Sequence, residues 1–273
     1  MKRIFLTVLI VKLQVAHAQS VYDSYIQQNV TETDSVAAFH ELVTQQFAQI
    51  NDARHRQKDF TPLLAAGETV PALISNWKHT IMSMKDTLDF NTLTIIKSED
   101  RNFCMVSWDT RLGDTKTDYA SVILYRYNDS IYVVPNKQEF IKSTPENPKI
   151  RYTAIYTLKT KDKIIYLAKG YGQGTTTEPW QEIKAFCIEQ DVLSTPAILP
   201  GKQHRLFVAV NATQLRGAKK IPPLSYDSTT MLLTIPGTDK KHVFTGSYTT
   251  YRFSNNNFKE VKDKTVKYAI VPY

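Results

Sequence analysis

Glycine marks the stretch of this sequence where residue types and spacing point most directly to a ligand. The chain holds nine glycines in 273 residues, about 3% against a usual ~7%. Three of them fall within five positions, Gly170, Gly172 and Gly174. The full stretch from Lys169 to Trp180 reads KGYGQGTTTEPW and lies between two strand-like runs. As a ligand loop it would use Tyr171, Gly172, Gly174, Thr175 and Trp180. The glycines would allow close backbone approach, the threonines would supply hydroxyls, and an aromatic ring would stack. Such a mixture suits a sugar or a polar peptide. The alternative, which we prefer, is a bulged or wide hairpin whose glycines serve backbone geometry. A nucleotide loop is excluded, because no GK[ST] follows and no helix opens there.

Other chemistry has weaker support. His40, His55, His79, His204 and His242 are far apart, and no HxH, HExxH or CxxC spacing occurs, so neither a metal nor a cofactor is expected. Asp109, Asp114 and Asp118 miss the alternation of a calcium loop and read as turn residues. No GxSxG elbow is present. A glycosidase carboxylate pair has no local signature; its acidic candidates are Glu178, Glu182 and Asp109, each expected as a solvated surface charge. Cys104 and Cys187 both sit in apolar runs. In an oxidising compartment they would form a disulfide contributing about 4–5 kcal/mol. As free thiols they would be buried as small hydrophobes.

The first 18 residues read as a secretory signal. Lys2 and Arg3 precede the largely apolar run Ile4 to Val11, and Ala16-His17-Ala18 offers a cleavage site after Ala18. The run is far below the ~18 residues of a membrane span, so no transmembrane segment is expected after cleavage. Cleavage leaves 31 basic against 26 acidic residues. That mild surplus is spread along the chain, its densest part being Arg54 to Lys58, and excludes a clustered nucleic-acid footprint.

The elements that must position any site follow from periodicity. Val36, Phe39, Val43, Phe47 and Ile50 form one helical stripe behind a cap at Asp34 or Ser35. A second helix is expected to begin near Pro71 and carry Leu73, Trp77, Ile81 and Met84. From residue 91 the pattern changes to runs rich in β-branched and aromatic residues, the last of them Val266 to Val271. Short polar breaks at Asn128-Asp129, Thr160 to Lys163, Asp227 to Thr229 and Asn255 to Asn257 read as hairpin turns. Breaks this short join antiparallel neighbours. The expected fold is therefore mainly β (α+β): an antiparallel β-sandwich or open barrel with an N-terminal helical segment packed against it. The expected organisation is a signal peptide at 1–18, a helical segment at 19–90 and a β domain at 91–273.

Thr94 to Phe103, leading into Val106 to Thr110, resembles a stretch that recurs in signal-bearing secreted proteins of Bacteroidota. Ile165 to Gly172, followed by Pro179 to Phe186, resembles the same group, as does the closing Thr245 to Tyr248 and Tyr251 to Phe253 with Phe258. The resemblance spans residues 90–262. It implies a cell-envelope protein and transfers no catalytic or binding residue. Sequence alone thus points to a secreted or periplasmic, non-catalytic binding or structural protein. Its partner would be a glycan, a peptide or an envelope protein. The alternative is an envelope hydrolase acting on glycans or peptides.

Overall fold

The computed structural model describes residues 32–56, 61–84, 88–89, 93–113, 117–135, 144, 148–175, 177–214 and 221–261. The signal segment, its cleavage point and the last expected strand lie outside the described residues. The chain divides into two compact units, residues 1–45 and 46–273.

Helix α1, Glu32–Arg56, carries the expected stripe: Phe39 and Val43 are buried in the first unit, Phe47 and Ile50 in the second. The next helix departs from expectation. Helix α2 spans Thr61–Asn76, so Pro71 sits in its interior and not in its first turn. Proline has no N–H to donate four residues back and its ring crowds that carbonyl; the residue there is Gly67. The helix continues because Leu63, Val70 and Ile74 on one face are almost fully buried. The hydrogen-bond ladder resumes past the proline, Trp77 N donating to Leu73 O at 3.0 Å and Ile81 N to Trp77 O at 2.9 Å. That carries the chain into α3, Lys78–Ser83.

The strands form three antiparallel sheets. The first is a meander of β1 (Leu88–Asp89), β2 (Leu93–Lys97), β3 (Phe103–Asp109), β4 (Tyr119–Tyr127) and β5 (Ser130–Pro135). The second contains β6 (Arg151–Lys159), β7 (Ile164–Thr175), β8 (Glu178–Glu189), β9 (Val192–Ser194) and β10 (Arg205–Ala209). Its order is β10-β8-β7-β6, with β9 pairing the far end of β8. The third runs β11 (Ser225–Asp227), β12 (Leu232–Thr238), β13 (Phe244–Ser254) and β14 (Asn257–Glu260). All four expected hairpin breaks are turns between paired strands. Asn128, Asn255 and Asn256 adopt positive φ there, a conformation asparagine tolerates.

Strand alternation makes the second sheet the middle layer. Tyr166, Ala168 and Phe186 meet Ile96, Phe103, Met105 and Ile123 of the first sheet. The Phe103 ring stacks on Tyr166 at 4.9 Å. The intervening residues Ile165, Leu167, Ile183 and Ala185 face the other way, into a core with Tyr226, Leu233, Phe253 and Phe258 of the third sheet. The outer face of the first sheet carries buried Leu93, Ile95, Val106, Val122 and Leu124. The helical segment meets this sheet: Lys78 Nζ of α3 donates to Ile131 O at 3.0 Å, and Arg54 of α1 donates to Gly113 O at 3.2 Å. Within the second unit the architecture is a stack of sheets, with α3 meeting the first of them, and not a closed barrel. Among the described residues, no helix is long and apolar enough to cross a membrane.

The same alternation rules out the disulfide. Cys104 lies between Phe103 and Met105, which face the middle layer, so its thiol points to the outer face; Cys187 follows Phe186 and points toward the third sheet. Both are free and buried, and burial pushes the Cys104 thiol up to about 12. Adding reductant should therefore leave the urea midpoint unchanged, and a thiol titration should find both cysteines only after unfolding. A midpoint that falls on reduction would restore the cross-link.

Candidate functional site

The glycine-rich stretch is not a loop. It is the paired end of β7 and β8, with Gly172 opposite Trp180 and a register shift between Gln173 and Thr175. The three glycines alternate onto one face, and what they provide is space. A Cβ on Gly170 would lie 2.5 Å from Arg151 O, one on Gly172 2.4 Å from Lys149 O, and one on Gly174 2.4 Å from the Trp180 ring. They let the segment entering β6 cross β7 closely and let the indole lie flat on the backbone. Trp180 is accordingly only 3% exposed and packs edge-on against Phe207 at 5.3 Å, so it is a core residue and not a stacking platform.

Of the expected ligand residues, the structure brings only Tyr171 and Gly172 to a cleft. It has a volume of about 240 Å³ and includes Tyr119, Gln173, Pro179, Ala212 and Ile221. Gln181 holds the segment that follows Ile221, donating to Pro222 O at 2.8 Å and accepting from Leu224 N at 2.7 Å. The Ala212 N–H donates to Thr177 O at 2.8 Å. Tyr171 is 49% exposed there. Thr175 is exposed at the end of β7, opposite Glu178, and Gly174 lies under Trp180.

A larger cleft, of about 700 Å³, lies at the opposite end of the same strands. Asn102 comes from the β2–β3 turn, Arg126 and Tyr127 from the end of β4, Asp162 and Lys163 from the β6–β7 turn and Ile164 from the start of β7. Ile188 and Glu189 come from the end of β8, Gln190 from the β8–β9 turn and Asn256 from the β13–β14 turn. All three sheets contribute. Asp100 organises the first of these turns: Ser98 Oγ donates to its Oδ1 at 2.6 Å, Asn102 N donates to Oδ1 at 3.0 Å, and the Tyr166 hydroxyl donates to Oδ2 at 2.8 Å. Tyr125 Oη donates to Asp191 O at 2.6 Å and ties the β8–β9 turn to the first sheet. Lys163 Nζ meets Glu189 Oε1 at 2.7 Å, and that ammonium holds the Glu189 carboxyl below the usual range.

The three acidic candidates lie elsewhere. Glu182, expected on the surface, is 2% exposed. The Tyr152 hydroxyl donates to its Oε1 at 2.6 Å and Arg205 Nε to its Oε2 at 2.8 Å. Burial pushes its carboxyl up, against the opposing pull of Tyr152, Arg205 and Lys184. A bulge between Tyr152 and Ala154 makes this contact, because the extra residue turns Tyr152 onto the face that Glu182 occupies. Asp109 is half-buried and pushed up by burial, with Arg111 3.1 Å away. Glu178 pairs with His242 and links two turns. Among the described residues, no three His, Cys, Asp or Glu side chains gather as a metal site. Sequence reasoning missed the larger cleft because its lining comes from five separate stretches; the one available signal was the turn chemistry at Asn255-Asn256 and Thr160 to Lys163.

No family model, curated protein or solved structure matches this chain.

Two outcomes check this geometry. Gly172→Ala forces a Cβ against a backbone carbonyl and should cost about 1–3 kcal/mol. Trp180→Ala opens a cavity and should cost about 3–5 kcal/mol by urea denaturation. Wild-type stability in Gly172→Ala would show that β6 has room to move.

Glu182 makes stability depend on pH. Its native carboxyl holds a proton more tightly than in the unfolded chain. The stability it contributes is therefore complete below its unfolded range and is lost as pH rises through the raised native value. Glu182→Gln removes that loss, so as pH rises from below the ordinary carboxylate range the wild-type midpoint should fall relative to the variant. A shift in the other direction would mean that Arg205 holds the group as an anion.

Proposed function

We propose that this protein is a secreted or periplasmic, non-catalytic binding protein whose ligand occupies the larger cleft at the turn end of the β stack. The observation that carries this reading is a set of five polar side chains lining the cleft: Asn102, Arg126, Asp162, Gln190 and Asn256. Among the described residues none of the five side chains makes a hydrogen bond within the protein. They converge from four hairpin turns and the end of β4, so the groups are positioned without being used.

The chemistry of the cleft favours binding over hydrolysis. A general acid must keep its proton near neutral pH, and Glu189 is held in the opposite direction by Lys163. The carboxyls pushed above their range, Glu182 and Asp109, are paired with Arg205 and Arg111 and line neither cleft. The secreted or periplasmic location rests on Lys2-Arg3, the run Ile4 to Val11 and Ala16-His17-Ala18. A second reading places the ligand at Tyr171 in the smaller cleft, supported by the exposure of that ring.

A thermal-shift screen against glycans, cell-wall fragments and peptides tests the proposal. A ligand at 100 times its Kd stabilises the native state by about 2.7 kcal/mol, which raises Tm by roughly 5–11 °C for a domain of this size. Arg126 and Asn256 are exposed, and Asn256 has φ +61°. Arg126→Ala with Asn256→Gly therefore removes both groups while preserving the backbone, and should abolish the shift at unchanged intrinsic Tm. A shift kept in that double variant and lost in Tyr171→Ala would move the ligand to the smaller cleft.

A further inference from the structure

We infer that the turn-end cleft takes a neutral oligosaccharide, an assignment that rests on the binding reading above and adds the ligand class. Three properties of the cleft carry it.

The first is charge. Lys163 and Glu189 neutralise each other across 2.7 Å. Of the remaining lining groups one is a cation, Arg126, and one an anion, Asp162. With charges in balance the cleft has no field to gather a phosphate, a uronate or a polycation.

The second is the kind of polar group left over. Asn102, Gln190 and Asn256 present amides, each with two donors and an acceptor in one plane. Arg126 presents a planar fork of donors, and Asp162 two coplanar acceptors. A sugar hydroxyl both donates and accepts, and neighbouring ring hydroxyls form pairs that such planar groups meet two at a time. Tyr127 and Ile164 supply apolar surface for the C–H face of a ring. Tyr166 is not free to adapt, since its ring is stacked on Phe103 and its hydroxyl is held by Asp100.

The third argues against a peptide. The strand ends around the cleft are closed hairpins: Tyr127 pairs with Ser130, Glu189 with Val192 and Ser254 with Asn257, and Thr160 N donates to Lys163 O at 2.9 Å. None of the edge strands β5, β6, β9 and β14 contributes a residue to the lining, so the cleft presents turns and no open edge onto which a peptide strand would add. The aliphatic lining is Ile164 and Ile188, too little for an anchoring side-chain pocket. The volume, about 700 Å³, falls within the ~300–1,000 Å³ of ordinary small-ligand sites.

The test is isothermal titration of the full chain with soluble hexasaccharides of glucose, mannose, xylose and N-acetylglucosamine. Oligogalacturonate and a pool of hexapeptides complete the panel, at low and high salt. At least one neutral sugar should bind, with a Kd that salt changes by less than about twofold. Arg126→Ala and Asn256→Gly should each weaken it by about tenfold or more at unchanged Tm. Binding of oligogalacturonate alone, weakened by salt, overturns the neutral assignment. Cleft-dependent binding of a peptide and of no sugar overturns the ligand class while leaving the binding reading standing. If neither variant changes the binding of any ligand, both fail.

Discussion

The middle sheet has no solvent-facing side, and most of this structure follows from that. A strand in a two-layer sandwich alternates apolar and polar residues, one face for the core and one for water. Strands β7 and β8 must satisfy two cores at once. Ile165 and Leu167 serve the aliphatic core shared with the third sheet, and Tyr166 and Ala168 the aromatic core shared with the first. Ile183 and Ala185 alternate in the same way with Phe186. The near-continuous apolar character of residues 164–168 and 183–188 is the sequence form of double burial.

Double burial also explains the features that a ligand-loop reading of the glycines mistakes for chemistry. Where the middle sheet has to accept the chain entering β6, any side chain on the facing residues of β7 would collide with a backbone carbonyl. Gly170 and Gly172 answer that constraint, and Gly174 makes room for the Trp180 indole. The small hydroxyl residues across the first sheet play the complementary part. Thr94, Ser107 and Ser121 are registered side by side. Thr94 Oγ1 accepts from Arg151 Nε at 2.7 Å and Ser107 Oγ from Tyr152 N at 3.2 Å. Polar groups trapped between layers are paired there, Glu182 with Arg205 and Tyr152, Lys149 with Asp118 at 2.8 Å. Leaving one such partner unmatched would cost several kcal/mol, so these groups are tied to the fold and are poor material for a ligand site.

The polar side chains that line the larger cleft lie instead at the ends of the strands, where the middle sheet does reach water. The turns favour Asn and Asp for their backbone geometry, and amide and carboxylate side chains also hydrogen-bond polar groups. Gln190 and Asn256 take positive φ in their turns and still project amides into the cleft. One set of residues thus closes the hairpins and lines the cleft.

Much of the fold is legible in the sequence because its causes are local. The stripe Phe39, Val43, Phe47 and Ile50 writes α1, β-branched runs write the strands, and Asn128-Asp129 and Asn255-Asn256 write the turns. Each depends on neighbours within a few residues. Pro71 inside α2, the burial of Glu182, the free thiols of Cys104 and Cys187 and the packing role of Gly170 to Gly174 were decided only by tertiary structure. For the last three the deciding partner is distant in sequence: Lys149 and Arg151 for the glycines, Tyr152 and Arg205 for Glu182, the facing sheets for the cysteines. The turn-end cleft belongs to the same class. Its residues run from Asn102 to Asn256, and only the stacking of three sheets brings them together.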